Sequence, residues 1–171
     1  IDQLPQNAKV GSSSPRRQAQ LLAHRPDLRV ESIRGNVQTR LSKLDSGEFD
    51  AIVLAQAGLS RLGLDRDDAY PLAIEDCLPA PGQGALGIEI LSDSLVGALL
   101  EKLLDRNVAR CVEAERGISA GLGADCALPV AAYAKVDAEG QIFLQALVAE
   151  PDGSAILRAD GRGENPQALA Q

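Results

Sequence analysis

The sequence predicts an α/β layer built on a parallel sheet, followed by a small α+β unit with a three-stranded antiparallel sheet. Three observations lead there. Short apolar strands alternate with amphipathic helices as far as Gly63. A stretch crowded with proline and glycine follows, between Tyr70 and Gly87. Beyond it, strand-like runs are joined by brief turns such as Asp137-Ala138-Glu139-Gly140. Parallel strands need a long crossover, usually a helix, whereas short turns join antiparallel neighbours.

The elements follow in order. Ala8 to Gly11 reads as the end of a strand, and Pro15 to Arg25 as a helix with Ser14 as its N-cap and proline in its first turn. Leu28 to Ile33 alternates apolar and polar residues and predicts a strand. Val37, Leu41 and Leu44 mark one face of a helix that Asn36 starts and Gly47 stops. Asp50 to Ala55, centred on Ile52-Val53-Leu54, predicts a buried strand of the kind parallel sheets use. A short helix runs through Leu59 and Leu62 and ends at Gly63. After the Pro/Gly crossing, the pattern predicts a strand over Ala85–Leu91 and a helix over Ser94–Leu104. A second helix then carries Val108, Cys111, Val112, Glu115 and Ile118 on one face. Strands follow at Val130–Val136, Ile142–Ala149 and Ala155–Asp160, and a last helix starts at Asn165-Pro166. The organisation is therefore 1–78, a crossing over 79–104, and 105–171.

Composition excludes several classes. No apolar run approaches the roughly 20 residues a membrane-spanning helix requires. Cys77, Cys111 and Cys126 form no CxxC pair and share the chain with a single histidine, too sparse for a zinc site. An odd cysteine count suits a reducing compartment, so a cytoplasmic protein is expected. The chain opens on Ile1-Asp2-Gln3 without a methionine and stops in a starting helix, and is read as a fragment.

Net charge is −7, but its distribution is uneven. Between Lys9 and Lys43 eight basic residues face only Asp27 and Glu31, so that stretch is +6 and the remainder carries −13. A basic patch in an acidic protein suits a small polyanion, because a long one is repelled by the rest of the surface. Two Tyr, two Phe and no Trp leave few stacking platforms for bases, so nucleic acid is not the expected partner.

Two strand-to-helix junctions gather the basic residues. One is Gly11-Ser12-Ser13-Ser14-Pro15-Arg16-Arg17, and the other runs Arg34-Gly35-Asn36-Val37-Gln38-Thr39-Arg40. In a parallel sheet both fall outside the carboxyl ends of the strands, where α/β ligands bind. Helix N-termini there present free N–H groups and partial positive charge, a place that ordinarily favours acids. Arginines at that place imply an anion that neutralises them, and arginine favours planar, bidentate carboxylate recognition. Read singly, each is as readily a solvated arginine beside an ordinary cap. No Walker loop is present.

Cys126 lies on a glycine-rich turn, Gly121-Leu122-Gly123-Ala124-Asp125-Cys126-Ala127-Leu128-Pro129. An exposed thiolate can hold a prosthetic group through a thioether, although a free cysteine more often behaves as a small hydrophobe. Cys111 is expected to be buried and Cys77 has no supporting context. His24, at a helix end, is read as a C-terminal cap contact.

Taken together these segments resemble the porphobilinogen deaminase (hydroxymethylbilane synthase) family. The resemblance rests on the serine loop with Arg16-Arg17-Gln18, Arg34–Leu44, Phe49–Ala55, Gly58–Leu64, Leu78-Pro-Ala-Pro-Gly-Gln-Gly84, Cys126-Ala-Leu-Pro129 and Pro151-Asp-Gly-Ser154. It covers essentially the whole chain, in order. Ala124-Asp125 departs from the small glycine pair often found before the cysteine, and Ser12 and Pro15 vary in the serine loop.

The resemblance implies the second and third domains of a three-domain monomeric transferase of tetrapyrrole (heme and porphyrin) biosynthesis. The first two domains would be periplasmic-binding-protein-like and the third a small α+β domain. The activity implied is head-to-tail condensation of four porphobilinogen units into hydroxymethylbilane with release of ammonia, primed by a dipyrromethane on Cys126. Ser12, Ser13, Ser14, Arg16, Arg17, Arg34 and Arg40 would bind the acetate and propionate groups of this cofactor and of the growing chain. Arg61 and Arg116 are weaker candidates for the same task. The catalytic aspartate would lie upstream of Ile1, leaving this piece inactive by itself. Residues 85 to about 102 would return to the first domain and expose apolar surface in its absence. The competing reading is a non-catalytic, periplasmic-binding-like module for a small polycarboxylate. It explains the arginines but gives Cys126 no role.

Overall fold

The computed structural model describes residues 1–64, 66–123 and 128–171, and Cys126 lies outside them. Its first unit is a parallel sheet of β1 (Lys9–Gly11), β2 (Arg29–Glu31) and β3 (Ala51–Ile52) in the order β2-β1-β3. Lys9 pairs with Arg29 and Gly11 with Glu31 on one side of β1, and Val10 pairs with Ala51 on the other. Helices α1 (Pro15–His24), α2 (Val37–Asp45) and α3 (Gln56–Arg61) follow the three strands in turn. Ala8, Val10, Leu21 and Leu28 close the core between sheet and α1.

Local chemistry sets the helix starts. Ser14 Oγ accepts the Arg17 N–H at 3.4 Å, and Pro15 supplies the fixed φ of a first turn. Asn36 Oδ1 accepts the Thr39 N–H at 2.8 Å and its hydroxyl at 2.9 Å. Both caps stand where the sequence places them.

The second unit begins at α5 (Arg106–Gly121), whose N-cap Asp105 accepts from the N–H groups of Asn107 and Val108. Strands β4 (Val130–Val136), β5 (Ile142–Ala149) and β6 (Ile156–Gly163) form an antiparallel meander, and α6 (Pro166–Leu169) packs beside α5 and β6. One sheet face buries Ala132, Ala134, Ile142 and Leu144 against Ala114 of α5. The other buries Ala131 and Leu147 against Leu78 of the crossing. The molecule is thus a mixed α/β protein with one parallel and one antiparallel sheet.

Three expectations are corrected. Residues 85–91 form no strand, because among the described residues no neighbouring strand is present to complete a ladder. The helix expected over Ser94–Leu104 contracts to α4 (Gly97–Leu100) and a 3-10 turn at Glu101–Leu103. The segment lies with Leu86, Leu91 and Leu95 exposed, so nothing stabilises its apolar face. His24 does not cap its helix. Its Nε2 meets Asp2 Oδ1 at 2.8 Å, and the Arg25 N–H closes the helix onto Leu21 O at 2.8 Å.

No helix among the described residues is long and apolar enough to cross a membrane. Among the same residues, no cluster of His, Cys, Asp or Glu is arranged to hold a metal ion.

Candidate functional site

The order β2-β1-β3 determines where a ligand can enter. The chain leaves β1 toward β2 on one side and returns to β3 on the other, which opens a crevice at the carboxyl ends of β1 and β3. A cleft of about 280 Å³ lies there, lined by Arg17, Gly35, Asn36, Val37, Arg40, Leu54, Ala55 and Gly58. The start of α2 and the first turns of α1 and α3 all border it. Among the described residues, the lining contains two guanidiniums and no carboxylate.

Arg17 stands in the first turn of α1 and donates from Nη1 to Val53 O at 3.0 Å, which ties it to the end of β3. Burial pulls its guanidinium below the usual range, Cys77 opposes this, and the positive charge of Arg40 adds to the pull. It stays protonated at neutral pH all the same. Arg40, one turn into α2, spends Nε on Gly35 O at 2.8 Å. Two like charges are therefore held across one cleft by the backbone carbonyls behind them. No carboxylate among the described residues pairs with Arg16, Arg17, Arg34 or Arg40. An anion between Arg17 and Arg40 would relieve their repulsion and accept from the N–H groups at the helix starts.

The remaining predicted residues are dispersed. Ser12 is buried, with its Oγ accepting from the Ser14 N–H at 3.3 Å and its own N–H donating to Glu31 O at 2.9 Å. Ser13 Oγ donates to Ile33 O at 2.6 Å, with Ser32 Oγ at 3.0 Å. The three serines thus shape and cap the loop. Arg16 is 6% exposed and points away from the cleft, donating to Leu78 O and, at 3.3 Å, to Gln83 Oε1, with Cys77 Sγ at 3.9 Å. Arg34 is exposed beside Gly35, and Arg61 is exposed at the far end of α3. Arg116 is exposed on α5, in the other unit. Cys126 lies outside the described residues, between α5 and β4.

Sequence reasoning missed two buried polar groups. Gln20 Oε1 accepts from Leu78 N at 2.8 Å while Nε2 donates to Leu78 O at 3.0 Å. Glu115, 7% exposed, accepts from the N–H groups of Gly82 and Ala134, both at 2.7 Å. Burial pushes its carboxyl above the usual range, and those two donors hold it back. A glutamate inside the apolar stripe of α5 was the available signal, since such a group is rarely buried without partners.

Two family models match most of the chain. A family model described as the porphobilinogen deaminase dipyromethane cofactor binding domain matches residues 1–96. A second, described as the porphobilinogen deaminase C-terminal domain, matches residues 109–171. The chain is 53% identical over 169 residues to porphobilinogen deaminase from each of two strains of Acidithiobacillus ferrooxidans, covering 98% of this chain and 55% of the relative. It is 49% identical over 174 residues to porphobilinogen deaminase from Thiobacillus denitrificans, covering 100% of this chain and 56% of the relative. The chain thus spans about half the length of the curated relatives it matches.

Proposed function

The chain belongs to the porphobilinogen deaminase family, and from that premise we propose that it is the ligand-holding half of a hydroxymethylbilane synthase. The whole enzyme would condense four porphobilinogen units head to tail, release ammonia, and free the linear product by hydrolysis. The single observation that carries this reading is the cleft where Arg17 and Arg40 converge without a carboxylate partner among the described residues.

A dipyrromethane would supply the primer, joined through a thioether to Cys126. The cleft fits such a group chemically: its charged donors are guanidiniums, and each pyrrole brings two carboxylates. In this reading Arg17 and Arg40 take carboxylates directly, and Arg34 meets those that extend beyond the cleft. The N–H groups at the start of α2 add neutral donors. Ser12, Ser13 and Ser14 keep the loop in shape, and Arg16 supports α1 from behind. Arg61 and Arg116 would contact only the outer parts of a lengthening chain. Always-protonated partners suit a ligand whose negative charge grows with each added unit.

The acid that protonates the departing amine is assigned to the part of the enzyme outside these 171 residues, so this piece alone is expected to be inactive. The exposed apolar residues of 85–104 would pack against that part. The order β2-β1-β3 fits a periplasmic-binding-like domain, a cytoplasmic compartment fits the chain's cysteine usage, and a monomer is what the family resemblance implies.

The test is the mass of the full-length protein and of its peptide containing Cys126. Addition of two deaminated porphobilinogen units to that peptide, abolished in Cys126→Ser, is the expected result. An unmodified Cys126 after incubation with porphobilinogen would leave a non-catalytic polycarboxylate-binding module as the reading.

A further inference from the structure

We infer that Gln20 and Gly153 are positioning residues that lock the middle of α1 to the antiparallel unit, so that the arginine cleft and the antiparallel sheet are held as one body. The inference deepens the deaminase reading and rests on it for its kinetic arm, while its structural arm stands alone.

The first contact is a two-way grip on a single residue. Gln20 is 2% exposed and offers Leu78 both an acceptor and a donor, as a neighbouring strand would. An amide side chain carries both, uncharged, in one planar group. Leu78 in turn buries its side chain against Ala131 and Leu147, and the next carbonyl, that of Pro79, accepts from Ala132 N at 3.1 Å. Helix α1 thus holds Leu78 by its backbone, and the sheet holds it by its side chain.

The second contact arrives from another part of the chain. The turn joining β5 to β6 lies on α1, and Gly153, at its tip, has φ +73°. A Cβ there would stand 2.5 Å from Ala19 O and 2.6 Å from Ala23 N, so backbone meets backbone. Any larger residue must push the turn off the helix. Both contacts fall on residues 19–23, immediately after Arg17 in the same helix. A shift of the antiparallel unit is therefore transmitted to the Arg17 guanidinium.

This arrangement matters for a ligand tethered at one unit and bound at the other, because its reach is set by the spacing between them. Neither Gln20 nor Gly153 lines the cleft. Their loss should leave substrate affinity intact and misplace the tethered chain.

The experiment uses the full-length protein as wild type, Gly153→Val and Gln20→Met. It reads porphobilinogen kinetics together with hydrogen exchange of peptides spanning residues 16–24, 76–84 and 141–149. The expected result is a kcat reduced about tenfold or more with KM changed less than about twofold, as misplacement of about 1 Å can produce. Exchange should quicken in the first two peptides and stay unchanged in the third. Unchanged kcat and exchange, or a rise in KM with kcat preserved, would overturn the inference. Should Gly153→Val fail to fold, Gln20→Met decides, since it keeps the buried volume and removes only the amide. A wild-type protein without turnover and without added mass on Cys126 would sink the deaminase reading instead, and the exchange results would then decide the interlock alone.

Discussion

Residues 78–84 and residues 85–104 are neighbours in sequence, yet the first are gripped by three elements and the second by almost none. Leu78 is held by Gln20 and Arg16, Pro79 by β4, Gly82 by Glu115, and Gln83 by Arg16. Immediately afterwards Leu86, Leu91 and Leu95 stand in solvent, the last 96% exposed. The later segment is the more aliphatic of the two, so hydrophobic content alone does not decide burial. What decides it is whether a complementary surface exists to accept the pattern, and whether backbone groups find partners on the way in.

The largest effect should separate the two segments directly. Leu78→Ala should cost about 2–5 kcal/mol by chemical denaturation, the range for emptying a well-packed leucine site. Leu95→Ala should stay within about 0.5 kcal/mol, as for surface changes generally. Equal costs would break the comparison.

The cleft offers a second contrast, between converging and scattered arginines. In the full-length protein, Arg40→Ala should weaken binding of a linear polycarboxylate by about tenfold or more, given roughly 1.5–3 kcal/mol for a hydrogen bond to a charged group. Arg116→Ala, far from the cleft, should change it less than about twofold, the reach of an exposed charge pair. Isothermal titration distinguishes these outcomes.

Glu115 sharpens the account of residues 78–84 by its pH dependence. Its carboxyl titrates above the usual value in the folded protein, so the native state holds the proton more tightly than the unfolded one. Stability should therefore fall as pH rises from 4.5, the carboxyl's ordinary value, through the raised folded value, and then level off. Glu115→Gln should flatten this slope, which urea titrations at several pH values can follow. A slope of opposite sign would mean that the donors from Gly82 and Ala134 outweigh burial.

The smallest effect concerns the exposed segment itself. Leu91→Lys should leave the stability of this chain nearly unchanged, within about 0.5 kcal/mol. In the full-length protein the same change should be clearly destabilising, because the proposal assigns a partner to that face. Parallel thermal melts of the two proteins would show whether the difference exists.

These contrasts also show what could be read in advance. The parallel layer was legible because Ser14, Asn36 and Gly47 announce helix ends and because apolar period separates strand from helix. The meander was legible from its turns, although β6 continues to Gly163, past the expected end at Asp160. Gly161 and Gly163 look like breakers in sequence, yet they stay paired with β5 and leave room for Leu169. The failures share a cause. The strand expected over 85–91 needs a partner that no local pattern can reveal. The inward turn of Arg16 depends on Leu78, Cys77 and Gln83, all about sixty residues away. Arg16 and Arg17 are adjacent and chemically identical, and only tertiary structure shows that one supports the helix while the other lines the cleft.

Gly11 gives the central strand a further property. A Cβ at that position would lie 3.0 Å from Ile52 and 3.1 Å from Ile33, atoms that belong to what flanks β1 on either side. The loop that begins at the next residue therefore leaves a strand end that admits no larger residue without moving its neighbours. Substitutions within the loop can change which groups face the ligand, whereas any side chain at the anchor itself would have to displace Ile52 or Ile33. Variation in ligand preference among related chains should accordingly accumulate at the starts of α2 and α3, while this anchor stays fixed.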